Sequence, residues 1–383
     1  MSTPILFGSP RAQKTENIAP RYTDLGYNQY NQNSSVQRYV IPPPPPTNPV
    51  DIRWGGENYG YISGNGNPNS ANTIERWSFV SDGNATTVGS LNFLNPLNFW
   101  AREGVSSYTA GYDLQTGDNT PGGFANDIVK VPFASIASNA NVGEIAVPQR
   151  VYAGHAEANV AGYLSGGTWG PQQPIPDLGP YPASFVYLTD NIQRFPFASD
   201  GPSVQTGNLS AYTADCVGFS NTNVAAYTVS GSTYYPKSGP PFANTKEAQQ
   251  KWPFASGNGS EINGDIFGPV ANNVGKNFTS CSPVAYFKSG GGSPGPIQTS
   301  DAIIKVVFAN DTSTAATTQT LLDNGVVGAS ASSTSFGYTA GGYWTNNFYE
   351  ERIQKFSMTS DTNATVVGTL GSFPKVSSAG FHE

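Results

Sequence analysis

The chain has 383 residues, a formal net charge of −7 and charged side chains at only 12% of its positions, against about 25% in ordinary globular domains. This acidic balance argues against nucleic-acid binding, because phosphate contacts need a surplus of Lys and Arg. No stretch approaches about 18 consecutive apolar residues, so we expect no membrane-spanning helix, and no signal-peptide pattern opens the sequence. The 43 glycines and 30 prolines are typical of an all-β protein rich in turns.

Residues 1–50 differ in composition from the remainder. They contain many Asn, Gln and Tyr, show no sustained strand or helix period, and end in the stiff polyproline stretch 42–46. Four basic and two acidic side chains give this segment a charge of +2, which leaves −9 for residues 51–383. One interpretation is a disordered tail, but we favour an extended arm that becomes ordered on another subunit. The predicted partner-binding residues of the arm are Arg11, Arg21, Tyr22, Tyr27, Tyr30, Arg38 and Tyr39.

A β-hairpin pattern recurs six times in residues 57–383. In Ile192–Leu209 an alternating strand is followed by the turn Ser-Asp-Gly-Pro and a returning strand. The six copies, numbered here as repeats one to six, are Ile74–Leu91, Ile128–Ile145, Ile192–Leu209, Gln249–Ile266, Ile303–Leu321 and Ile353–Leu370. Each has a basic residue at one position, namely Arg76, Lys130, Arg194, Lys251, Lys305 and Lys355. Three residues later stand Phe79, Phe133, Phe197, Phe254, Phe308 and, in the sixth repeat, Met358.

A second marker, a Tyr followed by small residues and Gly, precedes each hairpin. The six markers begin at Tyr61, Tyr108, Tyr163, Tyr227, Tyr286 and Tyr338. A run of small residues lies upstream of most of them, so each unit has four short strands. Four strands repeated six times predict a six-bladed β-propeller over residues 51–383. The first unit lacks its small-residue strand, and we expect residues 375–383 to supply it and so to close the ring.

The order of these strands carries a resemblance. A small-residue strand, a Tyr-x-x-Gly-Gly strand, an aromatic strand and an outer strand, with a C-terminal strand completing the first blade, resemble the kelch propeller. More closely, GYLSGG followed by IQRFPFASDG and GNL resembles repeat proteins of tailed bacteriophages, especially marine ones, usually described as virion structural proteins. The resemblance covers about residues 57–383 and is specific in the first, third and sixth repeats. The fifth repeat has Gln319 in place of the hairpin Gly, and the second has Ile136 where Asp stands elsewhere.

This resemblance implies a non-enzymatic structural component of a virion, without a cofactor, assembled in the host cytoplasm. We expect it to be tail-associated and to bind other virion proteins through the arm. Two alternatives stay open: a capsid decoration protein, and a carbohydrate-binding adhesin for host attachment that recognises a surface glycan. The candidate ligand-face aromatics of the adhesin are Tyr234, Tyr235, Tyr343 and Trp344.

Other chemistry finds less support in the residues. Kelch-type copper oxidases use two histidines, and the chain has only His155 and His382, in strands that belong to different blades. We expect both to be packed within their strands, and we expect Cys216 and Cys281 to be reduced and buried. The six basic residues could form a cationic ring, but we expect their stems to pack along the blades with the charges at an edge.

Overall fold

The computed structural model describes residues 56–64, 72–92, 102–115, 126–146, 153–169, 187–221, 224–234, 248–261, 273–281, 284–290, 303–309, 311–314, 320–322, 328–342, 350–360, 362–371 and 378–383. Within these ranges the backbone forms strands and turns, with one short 3-10 turn at Ile136–Ser138. The predicted arm lies outside the described residues, so its conformation and the division of the chain at residue 50 stay predictions.

The described strands are short, as the repeat pattern predicts. In chain order they are β1 (Tyr59–Ser63), β2 (Thr73–Ser78), β3 (Thr86–Ser90), β4 (Arg102–Ser106), β5 (Ala110–Gln115), β6 (Asp127–Pro132), β7 (Ala140–Glu144), β8 (Gly154–Ala158), β9 (Ala161–Ser165), β10 (Thr168–Trp169), β11 (Tyr187–Pro196), β12 (Val204–Asn221), β13 (Ala225–Tyr234), β14 (Ala248–Pro253), β15 (Ser260–Glu261), β16 (Asn273–Cys281), β17 (Val284–Gly290), β18 (Ile303–Val307), β19 (Thr312–Thr314), β20 (Ala329–Ser332), β21 (Phe336–Ala340), β22 (Arg352–Ser357), β23 (Thr365–Thr369) and β24 (Ala379–His382).

These strands form five antiparallel sheets in a β-propeller arrangement. Four sheets have four strands each, in the orders β24-β1-β2-β3, β4-β5-β6-β7, β16-β17-β18-β19 and β20-β21-β22-β23. The fifth has eight strands: β8-β9-β11-β12-β13-β14-β15 form its path, and β10 pairs with β11. The prediction of an all-β propeller is therefore confirmed, whereas the number of sheets differs from the six blades expected.

The eight-stranded sheet exists because β12 is unusually long. Its first part pairs with β11 up to Thr213, and its second part pairs with β13 from Tyr212 onward. We expected the third hairpin to end at Leu209 and a separate strand to follow. No Gly or Pro stands between Gly207 and Gly218, so nothing in the sequence interrupts the strand where one repeat passes into the next.

The hairpin turns use the left-handed backbone region. Asp82, Asp200 and Asp311 all have positive φ, between 51° and 54°. Asp is one of the few residues besides Gly and Asn that adopt this region with little strain. Gly201, which follows Asp200 in the third of these turns, also has a positive φ, of 112°. These turns present an Asp side chain at the same place in three repeats.

The core lies between consecutive repeats rather than in one central cluster. Ile128 and Val129 point to opposite faces of β6, and both are at most 1% exposed. One cluster joins Tyr61 and Ile74 of the first repeat to Val131 and Phe133 of the second. Both faces of such a sheet are covered, so residues that point to either face of these strands are buried.

The first strands of neighbouring repeats approach each other closely. A Cβ added to Gly380 in β24 would collide with the backbone of Ser330 in β20, and one added to Gly104 in β4 would collide with the backbone of Gly380. Gly218 in β12 is placed likewise against the backbone of His155 in β8. The small residues of these strands are therefore needed for packing, and they leave only a narrow space between the strands.

Candidate functional site

The repeated basic residues pair with Asp side chains of the next repeat. Lys251 in β14 places its Nζ 2.8 Å from both carboxylate oxygens of Asp311, in the hairpin turn of the fifth repeat. The hydroxyl of Tyr227, from the strand beside β14, donates to the same carboxylate at 2.7 Å. Burial, and then the hydrogen bond to Asp311, raise the pKa of Tyr227 above its usual range. A Tyr, a Lys and an Asp thus form a triad across two repeats.

Two further Lys–Asp pairs have the same placement. Lys130 lies 3.0 Å from Asp200 of the third repeat, and Lys355 of the sixth repeat lies 3.0 Å from Asp82 of the first. The Lys and Asp side chains of all three pairs are between 17% and 33% exposed, so water screens them in part. The next turn supplies each of these three lysines with a carboxylate partner, which the sequence analysis did not predict.

The two arginines of the series meet a different neighbour. In the paired turns, Asp stands six residues after the basic residue of its own repeat. In the repeat after that of Arg76 this position is Ile136, and in the repeat after that of Arg194 it is Gly257. The guanidinium of Arg76 lies 4.1 Å from the centre of the Tyr59 ring, a cation–π contact within its own repeat. Gly257 has a φ of 73°, and a Cβ there would collide with the carbonyl oxygen of Thr206, so no Asp fits at this turn.

Aromatic rings join the repeats beside these pairs. The Tyr of one repeat lies against the Phe of the next, with ring centres 4.6 to 5.2 Å apart. The five described pairs are Tyr61–Phe133, Tyr112–Phe197, Tyr163–Phe254, Tyr227–Phe308 and Tyr338–Phe79. In the second repeat the Tyr of the pair is Tyr112. Tyr108, which we assigned to this position, lies in the turn before β5 and is 69% exposed, so that assignment is wrong.

Both histidines line one pocket between the first strands of the repeats. The pocket offers about 20 Å³ to water-sized molecules, roughly enough for one water. Its lining residues are Gly104, Ser106, His155, Ala156, Glu157, Ser220, Ser330, Ala331, Ser332, Gly380 and His382. We expected the two histidines to be packed within separate strands, and their convergence on one pocket was not predicted.

Two pairs of a histidine and a glutamate stand in or beside this pocket. Nδ1 of His155 lies 2.8 Å from Oε2 of Glu103, and Nε2 of His382 lies 3.9 Å from Oε1 of Glu157. The other oxygen of Glu157 accepts the N–H of Ser106 at 2.6 Å. Burial raises the pKa of Glu157 to about 7, with the Ser106 bond opposing it, and burial lowers the pKa of His382 to about 4.

A chain of three hydrogen bonds connects four of the strands around the pocket. The N–H of His382 donates to the hydroxyl of Ser106 at 3.0 Å, and the N–H of Glu157 donates to the hydroxyl of Ser220 at 3.5 Å. In these two bonds and in the Ser106–Glu157 bond, the backbone N–H of one residue donates to the side chain of the residue at the equivalent position in the next repeat. In the described part of the chain, no three side chains of the metal-binding types His, Cys, Asp and Glu are grouped so as to hold a metal ion.

The predicted binding residues lie outside this description. Arg11, Arg21, Tyr22, Tyr27, Tyr30, Arg38 and Tyr39 of the arm, and the ligand-face residues Tyr235, Tyr343 and Trp344, are outside the described residues. Tyr234 ends β13, but its side chain is outside them too. Cys216 is buried, and its thiol donates to the hydroxyl of Thr213 at 3.2 Å. No helix among the described ranges is long and apolar enough to cross a membrane.

Comparison with known proteins adds no family. The sequence matches no protein-family model, and no curated protein gives a significant match to it.

Proposed function

We propose that this chain is a non-enzymatic structural component of a bacteriophage virion, built as a six-bladed propeller and tethered by its N-terminal arm. The observation that carries the proposal is the use of the repeated side chains. Their Tyr, Phe and Lys residues form stacks and ion pairs between consecutive repeats, as in Tyr227, Lys251 and Asp311. Residues that recur for this reason serve the integrity of the scaffold.

The six-bladed count is supported by the two halves of the long sheet. The strands β8, β9 and β11 with the first part of β12 repeat the four-strand order of the other sheets, and so do the second part of β12 with β13, β14 and β15. We therefore propose two blades joined through one continuous strand.

Closure of the ring is supported by contacts between the two ends of the repeat array. The strand β24 pairs with β1 through four residue pairs, from Gly60–His382 to Ser63–Ala379. Tyr338 of the sixth repeat stacks on Phe79 of the first at 4.6 Å. We propose that the C-terminal strand completes the first blade, which leaves neither end of the array with an open edge.

A non-enzymatic role is supported by the size of the pocket between the strands. The described pocket offers space of about 20 Å³, roughly that of one water, so the strands around it leave room for a water-sized species. The virion assignment is supported by the resemblance of GYLSGG and IQRFPFASDG to repeat proteins of tailed phages. The charge of +2 on residues 1–50 against −9 on residues 51–383 supports an arm that docks on an acidic neighbour.

The test compares the full chain with a chain that begins at Pro42, each supplied to a phage whose own copy of the gene is deleted. Both proteins should fold and stay soluble, which circular dichroism and gel filtration check. Purified particles should contain the full chain and lack the truncated one, and immunogold labelling should place the full chain on the tail.

Each other outcome has a distinct meaning. Labelling of the head would favour the capsid decoration protein. Incorporation of the truncated chain at normal copy number would remove the tethering role of the arm. Absence of the full chain from particles would overturn the virion proposal, and binding to a glycan array that alanine at Tyr343 and Trp344 abolishes would then favour the adhesin.

A further inference from the structure

The strand β24 ends beside the pocket that both histidines line. Its backbone is held there by the His382 N–H, which donates to Ser106, and by the Glu383 N–H, which donates to the carbonyl of Tyr59 at 2.9 Å. The carboxylate of Glu383 points elsewhere and accepts the hydroxyl of Tyr61 at 2.7 Å. The imidazole of His382 is thus the side chain by which β24 faces the pocket.

Glu157 and His382 face each other without a hydrogen bond. Nε2 of His382 and Oε1 of Glu157 are 3.9 Å apart, beyond hydrogen-bond distance but within that of an ion pair. Their side chains are only 11% and 12% exposed. Nε2 of His382 has no hydrogen-bond partner among the described residues. A small rotation of either side chain would bring the two atoms into a hydrogen bond.

The neighbouring charged groups already have partners. From β4, Arg102 pairs with Asp113 at 3.2 Å, and Glu103 lies 2.8 Å from Nδ1 of His155, which belongs to β8. The strand β20 contributes only Ala and Ser to the surroundings of the pocket. The titratable residues that line the pocket are thus Glu157, His382 and His155, of which His155 is paired with Glu103.

Counting protons shows which state suits a buried site. With one proton the pair is neutral overall, either as two neutral side chains or as an ion pair. A second proton leaves a buried imidazolium, and loss of the only proton leaves a buried carboxylate with a single N–H donor. Both charged states carry a desolvation penalty that the form with two neutral side chains avoids.

We propose that Glu157 and His382 hold one proton between them and together clasp the C-terminal strand to the centre of the propeller over a wide pH range. This inference rests on the proposed closure of the ring by β24. The pair acts as a conformational device: it binds the last strand through a contact whose net charge does not change between acid and neutral pH.

The directions of the pKa shifts predict what each member does alone. The pKa of His382 falls from 6.5 to about 4, so the unfolded chain binds its proton first, and stability is lost as the pH falls from 6.5 towards 4. The pKa of Glu157 rises from 4.5 to about 7, so its contribution is present below 4.5 and is lost as the pH rises through 7. The two slopes have opposite signs and nearly cancel in the wild-type chain.

The experiment uses four full-length chains: wild type, Glu157→Gln, His382→Asn and the double variant. Gln keeps an acceptor for the Ser106 N–H, and Asn keeps a polar side chain of smaller size. Denaturant midpoints at pH 4.5 and pH 8, with hydrogen exchange at the amides of β1 and β24, report the folded fraction and locate any opening. The double variant is the reference, because it retains every other titrating group.

The two single variants should show opposite pH dependence relative to that reference. For Glu157→Gln, the ratio of folded to unfolded protein should be lower at pH 4.5 than at pH 8, on the order of 100-fold. For His382→Asn, the same ratio should be lower at pH 8 than at pH 4.5, also on the order of 100-fold. Relative to the same reference, the ratio of folded to unfolded wild-type protein should change by less than about 3-fold between the two pH values.

The remaining outcomes separate this inference from the proposed closure. Parallel pH profiles in the two single variants would overturn proton sharing. A chain that lacks residues 378–383 tests closure independently: unchanged stability on that deletion would overturn closure by β24, whatever the profiles of the point variants show.

Discussion

The substitution Glu75→Gln should stabilise the protein. Glu75 lies in β2, is fully buried, and neither of its carboxylate oxygens has a hydrogen-bond partner among the described residues. The equivalent position, one residue before the basic residue, is Gln in three other repeats. There the amide oxygen accepts a bond: Gln193 from the hydroxyl of Ser203 at 2.8 Å, Gln250 from the N–H of Ser210 at 2.6 Å, and Gln354 from the N–H of Leu322 at 2.8 Å.

The expected gain follows from the cost of an unsatisfied buried group. Such a group costs about 1–3 kcal/mol, and more when it is charged, so replacing the carboxylate by the neutral amide should recover about 1–3 kcal/mol. In the first repeat, the backbone N–H that would donate to the new amide oxygen is that of Gly371. Gly371 lies close to this side chain, because a Cβ built on it would stand 3.6 Å from Oε1 of Glu75. The same Gln side chain therefore meets the same kind of surroundings as in its sister repeats.

The assay is unfolding in urea at constant pH, with the midpoint and slope read separately. The matched control is the reciprocal swap Gln354→Glu, which places a carboxylate where the sister repeats keep an amide and should lower the midpoint. A loss of more than about 1 kcal/mol in Glu75→Gln would refute the reasoning, because it would mean that the carboxylate is bound by a cation from outside the described residues.

Three further predictions concern the contacts between repeats. Phe197→Ala should cost about 3–5 kcal/mol in denaturant unfolding, because Phe197 is 8% exposed and stacks on Tyr112, and a loss below about 0.5 kcal/mol would contradict its place in the core. In a double-mutant cycle, Lys355→Met and Asp82→Asn should show a coupling of about 0.2–1 kcal/mol that shrinks in high salt, and zero coupling would mean that the pair is a geometric coincidence. Deletion of residues 378–383 should lower the melting temperature and cause self-association on gel filtration, because β1 loses its partner and buried Tyr61 loses the ring of Phe381 5.6 Å away.

The strands of the propeller were predictable because their signals are local. An aromatic residue and a basic residue three positions apart, followed by a turn containing Asp or Gly, specify a hairpin without reference to the rest of the chain. The unbroken course of β12 was also readable in principle, from the lack of Gly and Pro between residues 207 and 218. A Gly precedes Tyr61, Tyr163 and Tyr338 in the better repeats. It also precedes Tyr112 but not Tyr108, so this signal would have selected Tyr112.

The contacts between repeats were harder to predict because they join distant residues. Lys355 and Asp82 are 273 positions apart, and each looks like an ordinary surface charge in its own hairpin. The pocket was hidden for a similar reason, although one signal was available. Phe381 pairs with Tyr61 and Ala156 pairs with Tyr163, so the residues that follow them, His382 and Glu157, occupy the same position of their repeats. Aligning the repeats on these tyrosines places the two side chains at one level of the propeller.

The type of each basic residue follows the turn that it faces. Lys stands where the next turn carries Asp, as in the pairs Lys130–Asp200, Lys251–Asp311 and Lys355–Asp82. Arg stands where that turn carries Ile136 or Gly257. A planar guanidinium can stack on an aromatic ring, as Arg76 does on Tyr59. The same rule predicts a pair between Lys305 and Asp361, which lies outside the described residues. Because each Lys meets its Asp only when consecutive repeats are neighbours, and the sixth is neighbour to the first, these pairs favour one order of repeats around the propeller over any other.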